Sequence, residues 1–166
     1  MASHLTALSF AASIALAAPA HAACPMALAV YAEREGAASI DFRPAEGATI
    51  ANAFRMILPE GVMLDGIVQW SDEPEPDNRP YGMLMHNCPD GDATAEELAR
   101  CMVWQGVIYG LDANNAIELL PGPDGDAPAR LLFPDLAPTL LASAIFGSDG
   151  LEKAPWDVFE LSGCQE

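Results

Sequence analysis

From residue 39 to residue 70 apolar and polar positions follow the two-residue period of half-buried strands. Ile40 and Phe42 are separated by Asp41 and flanked by Ser39 and Arg43. Residues 54–58 (FRMIL) and 62–70 (VMLDGIVQW) are parted by Pro59-Glu60-Gly61. Proline fixes φ at the first turn position and glycine accepts a left-handed one, so the pattern predicts a hairpin with a three-residue loop. Residues 48–53 fit a strand or a helix equally. Residues 71–80 (SDEPEPDNRP) hold three prolines and four acids, which excludes a central strand or a helix and predicts an exposed loop. Apolar character returns over 81–85.

The second half mixes periods. Thr94-Ala95-Glu96-Glu97 has the spacing of a capping box, in which the Thr hydroxyl serves the Glu97 amide and Glu97 reaches back. A short helix should follow over 98–102. Residues 103–111 (VWQGVIYGL) read as one strand. With 116–120 (AIELL) it flanks Asp112-Ala113-Asn114-Asn115, a second hairpin. Residues 121–128 form another loop and 131–133 a short strand. Asp135 is placed to cap a second helix, with Pro138 in its first turn and Gly147 ending it. Leu136, Leu140, Leu141, Ala144 and Ile145 would make its apolar stripe. Residues 156–161 complete the set as a final strand. About seven strands and two helices, with hairpins dominating, predict an α+β fold: a mainly antiparallel sheet with two short helices.

Residues 1–22 carry no charged side chain, and their apolar run stops short of the roughly 20 residues that span a bilayer. They end in Pro19-Ala20-His21-Ala22, a small-x-small cleavage pattern. The reading is a secretory signal over 1–22 and one exported globular domain over 23–166, in the periplasm or outside the cell. The leader departs from the usual pattern in having no Lys or Arg before its apolar run. Lipidation of Cys24 would call for a leucine where His21 stands, so Cys24 is assigned to a disulfide.

Export changes the meaning of the cysteines. Cys24, Cys88, Cys101 and Cys164 are an even set beyond the leader, which in an oxidising compartment predicts two bridges. Cys88–Cys101 would close a loop around a helix start, and Cys24–Cys164 would staple chain ends that otherwise fray. No C-x-x-C is present, and the spacings match no zinc site.

Charge narrows the partners. The chain has 24 acidic against 7 basic residues, a net charge of −17, which excludes a nucleic-acid binder and adsorption to anionic lipid. No membrane insertion is expected after the leader. The acidity favours a cationic protein or ligand, with Asp72, Glu73, Glu75 and Asp77 as the candidate edge.

Candidate chemistry is sparse. One histidine, His86, lies beyond the leader, and G-x-S-x-G, H-E-x-x-H and the phosphate-binding P-loop are all absent. A non-catalytic binding or accessory domain without a cofactor is therefore the leading reading. A carboxylate-based envelope hydrolase is an alternative without nameable residues. In Gly82-Met83-Leu84-Met85-His86-Asn87-Cys88, Met83, Met85 and His86 are ligand types suited to Cu(I), which gives a copper-binding alternative. On a strand, however, Met83 and Met85 face one side and His86 the other unless the strand ends at Met85. In residues 90–97 (DGDATAEE) oxygen ligands at alternate positions resemble the start of a calcium loop, but Ala95 and Cys101 stand where its glycine and final glutamate belong, and Thr94 and Glu97 are already employed in the capping box. Trp70, Trp104 and Trp156 could stack a sugar, although their apolar surroundings assign them to packing.

Overall fold

The computed structural model describes residues 23–45, 49–71, 74, 77–89, 91, 94–143, 145–146, 151 and 153–166. The leader assigned to residues 1–22 lies outside them.

The strands are β1 (Ala29–Glu33), β2 (Ser39–Arg43), β3 (Asn52–Ile57), β4 (Met63–Trp70), β5 (Pro80–Met85), β6 (Met102–Val107), β7 (Tyr109–Leu111), β8 (Ile117–Leu119), β9 (Arg130–Leu132) and β10 (Val158–Cys164). All pair antiparallel, in one sheet of order β6-β5-β4-β3-β2-β1-β10-β9-β7-β8. Among the described residues are two α-helices, α1 (Ala95–Cys101) and α2 (Leu136–Ala142), of seven residues each. The sheet dominates, so the architecture is an antiparallel half-barrel carrying two short helices rather than a balanced α+β fold.

The run 103–111 is not one strand. It divides at Ile108, and its halves lie at opposite sides of the strand order. One residue spans only about 3.8 Å between neighbouring Cα atoms. The sheet must therefore curl until β6 and β7 meet. Ile108 seals that seam: its N–H donates to the Pro80 carbonyl at 3.2 Å, and its side chain is fully buried.

The inward positions follow from alternation. In β4 Leu64, Gly66 and Val68 are buried, as are Gly82 and Leu84 in β5. Gly66 leaves room for the Phe54 ring, and Gly82 for the Ile108 side chain; a β-carbon at either place would collide with them. The interior is a chain of rings. Phe133 is its hub, with centroids 5.9 Å from Phe54, 5.3 Å from Trp104 and 5.5 Å from Phe159. These are the separations at which aromatic edges meet faces favourably. Tyr31 lies edge-on to Phe42 at 5.9 Å and donates its hydroxyl to the Pro128 carbonyl at 2.9 Å. Burial drives its phenol far above the ordinary tyrosine range.

Local signals decide the turns. Glu60 and Gly61 take left-handed φ values of 62° and 79° between β3 and β4. Asp112 accepts hydrogen bonds from the Asn114 and Ala116 amides, and Asn115 turns left-handed at φ 68° between β7 and β8. The amide bonds, that of Ala116 foremost, hold the Asp112 carboxyl below its usual range. Thr94 and Glu97 form the reciprocal box at the start of α1.

The second helix differs from expectation. Asp135 stands at its N-cap in a left-handed conformation (φ 57°) with no side-chain cap bond. The cap comes from Asp157, whose carboxylate accepts from the Asp135 and Ala137 amides, each at 3.1 Å. Leu136, Leu140 and Ile145 are buried, but Leu141 is 54% exposed and leaves the stripe. The helix ends at Ala142; Ala144 and Gly147 lie outside the described residues.

Cys24 is bonded to Cys164 and Cys88 to Cys101. The first bridge fastens the chain before β1 to the end of β10, beside the Ala29–Cys164 pair of the β1–β10 ladder. The second ties the segment after β5 to the last residue of α1. Two such bridges fit a protein kept outside the reducing cytoplasm. Among the described residues no helix is long and apolar enough to cross a membrane.

Candidate functional site

A cleft of about 460 Å³ opens between the β1–β2 turn, the start of β10, β9 and α2. Its walls are Arg34, Arg130, Ala137, Pro138, Trp156, Asp157, Val158 and Glu160. The volume is that of small-molecule sites, which span roughly 300–1,000 Å³.

Each wall is fixed by its own chemistry. Arg34 rides on the turn after β1. That turn is shaped from beneath by the buried carboxylate of Glu33, whose Oε2 accepts the Glu35 and Ala37 amides at 2.9 and 3.1 Å. The turn presents the Arg34 guanidinium 4.3 Å from the Trp156 ring centroid, a cation–π contact. Glu35 holds Trp156 from the other end. It accepts the indole N–H at 3.1 Å and the Lys153 ammonium at 2.6 Å. The Lys153 bond first, and the Trp156 bond second, hold the Glu35 carboxyl below its usual range. On the far wall Leu131 and Phe159 point inward, so Arg130 and Glu160, paired across β9 and β10, face out together. Arg130 donates one Nη2–H to the Asp112 carbonyl at 3.5 Å. The Asp157 carboxylate is taken up by the α2 amides, which anchors Ala137 and Pro138 beside the cleft.

Three of the chain's seven basic residues, Arg34, Arg130 and Lys153, thus gather around one cleft. Elsewhere Arg43 and Arg55 share the Asp65 carboxylate at 2.9 and 3.1 Å, and Arg100 meets Glu96 at 2.9 Å. Burial opposes ionisation of Asp65, but the bonds and charges of Arg55 and Arg43 outweigh it and keep its carboxyl below the ordinary range. The cleft is therefore near charge balance in a chain of net charge −17. Its carboxylates at 35 and 157 are already bonded, Glu160 faces out beside Arg130, and Arg34 lies 3.9 Å from the Glu35 carboxylate while its guanidinium covers the Trp156 ring.

Apart from Trp156, the described sequence-derived candidates lie away from this cleft. Met83 and Met85 stand half-buried on the outward face of β5. His86 is the first residue beyond that strand, and its Nδ1 lies 3.2 Å from the Met63 carbonyl. It lines a shallow hollow of about 320 Å³ with Asn87, Pro89, Glu97, Arg100 and Cys101, which neither methionine lines. Asp72, Glu73, Glu75, Asp90 and Asp92 lie outside the described residues; Asp77 is exposed, and its amide donates to the Pro74 carbonyl. Glu97 belongs to the α1 cap, the first cause of its lowered carboxyl pKa being the Thr94 amide. The tryptophans form no common platform. Trp104 is buried and donates to the Pro134 carbonyl, while Trp70 is 36% and Trp156 51% exposed, against the assignment of all three to packing.

Sequence reading missed Glu33, Arg34, Arg130 and Asp157. One signal was present: in so acidic a chain the cations are few enough to follow one by one. Comparison with protein-family models, with curated proteins and with solved structures finds no match to this chain.

Proposed function

We propose that the protein is a non-catalytic binding domain acting outside the cytoplasm. It takes a small ligand with an anionic head, such as a carboxylate, and an apolar body into the Arg34–Arg130–Trp156 cleft. The observation that carries this reading is the meeting of two arginines and a half-exposed indole on one concave surface of an otherwise acidic chain. A guanidinium fork matches a carboxylate in charge and shape. Trp156, Val158 and Pro138 offer apolar area for the rest of the ligand. The strongly acidic remaining surface supports a further role in selecting a cationic partner.

Indole-3-acetate, N-acetylleucine and hexanoate are suitable probes, read by amide and indole resonances of ¹⁵N-labelled protein. The Trp156 indole N–H should shift with at least one of them. Replacing Arg34 or Arg130 by Ala should weaken that probe about tenfold, the loss of one charge-assisted hydrogen bond. Absence of any shift at Trp156 with all three would end this reading.

A further inference from the structure

We propose that the outer face of the β4–β5 ladder is a Cu(I) site formed by the thioethers of Met63, Met83 and Met85 with the imidazole of His86.

The strand register brings these residues to one place. Since Leu64, Gly66 and Val68 point inward from β4, residues 63, 65 and 67 point outward; in β5 buried Gly82 and Leu84 leave 81, 83 and 85 outward. Met85 lies opposite Asp65 and Met83 opposite Ile67. Met63 is the diagonal neighbour of Met85 on the same face. Same-face neighbours along a strand and diagonal pairs across strands are both about 7 Å apart. Unbranched methionine side chains, with three rotatable bonds each, can close that distance on a shared ion.

These are not core methionines. Met26 and Met56 fill the interior with no exposure, whereas Met63 is 52% exposed and Met83 and Met85 are half-buried on the solvent side. A methionine presented outward on a strand does not serve the packing that accounts for the buried two.

His86 supplies the second, independent observation. Its Nδ1 donates to the Met63 carbonyl at 3.2 Å, and its Nε2 accepts from the exposed Asn87 amide at 3.0 Å. A metal-bound histidine is held in the same way, one ring nitrogen donating to a backbone carbonyl so that the other presents its lone pair. The carbonyl belongs to Met63 itself, so the imidazole is tied to the strand that carries the third thioether. The Asn87 amide is a local donor that an ion can displace.

The surroundings select for softness. Among the described residues, the Asp65 carboxylate on this strand face is bonded to Arg43 and Arg55, and the Glu97 carboxylate near His86 accepts from Thr94, so these hard oxygen ligands are already engaged. All four cysteines are in bridges, so no thiolate competes. Thioether and imidazole ligands then favour a soft monovalent ion over zinc or calcium.

The test uses the disulfide-bonded chain with ¹³C-labelled methionine methyl groups. Ag(I), the redox-inert analogue, should move the Met63, Met83 and Met85 methyl signals by one equivalent and leave Met26 and Met56 in place. Cu(I) affinity, measured by competition with bicinchoninate, should fall at least tenfold in the Met63→Leu/Met85→Leu variant and in His86→Gln. Leucine nearly conserves methionine's volume, and an unchanged amide spectrum will show that the fold is kept. Methyl signals that do not move, or the same Cu(I) affinity in the folded double variant as in the parent, would overturn the proposal. The cleft probes above bind a different surface, so the two results are independent.

Discussion

The two helices are equal in length and opposite in origin. α1 caps itself: Thr94 and Glu97 exchange hydrogen bonds within one turn, and of its residues only Cys101 is buried. α2 borrows its cap from Asp157, about twenty residues further on, and buries Leu136 and Leu140. A seven-residue helix is too short to persist alone in water. One is therefore held by a local cap and a disulfide, the other by tertiary contacts. The contrast separates what a short sequence window encodes from what only the assembled sheet supplies.

The contrast can be pressed hardest through the core. Leu140→Ala should cost about 2–5 kcal/mol by chemical denaturation, because it empties a fully buried site. Leu98→Ala on α1, where the side chain is 38% exposed, should cost well under half of that. An equal loss from both would mean that α1 packs as α2 does.

Removing the Cys88–Cys101 bridge by paired serine substitution should cost about 3 kcal/mol, as expected for so short a closed loop. The damage should stay near α1 and leave probe binding at Trp156 unchanged.

The caps come next. Asp157→Ala should cost about 1–2 kcal/mol and weaken cleft binding as well, since the same carboxylate anchors Ala137 and Pro138. Thr94→Ala should cost about 1 kcal/mol and leave the cleft untouched. Loss of cleft binding in the Thr94 variant would erase the distinction between the two ends.

The smallest expected effect is in acid. The Glu97 carboxyl titrates below its ordinary range when folded, first because of the Thr94 amide. The stabilisation it provides is thus complete above the unfolded pKa of about 4.3 and disappears as pH falls through the lower folded value. The protection of the Thr94 and Glu97 amides, exchange measured against the intrinsic rate at each pH, should fall across that window. Glu35, lowered first by its Lys153 bond, should release Trp156 on the same side of neutrality.

This division explains what the sequence disclosed. The Pro59-Glu60-Gly61 turn, the Asp112–Asn115 turn and the α1 box each involve residues within four positions of one another, and each stands in the structure. Strand β1 went unread, because Ala29–Glu33 places an acid, Glu33, at a buried position. The break at Ile108 was hidden inside a continuous apolar run; only pairing at both sheet margins reveals it. The cleft was the least legible part. Arg34, Arg130 and Trp156 are unremarkable in their own windows and meet only because β1, β9 and β10 are neighbours.

β1 is the earliest described strand, yet one flank of it is completed by β10, which is made last. A chain that emerges N-terminus first can therefore zip β1 to β6 as a meander while one flank of β1 stays bare until β10 arrives.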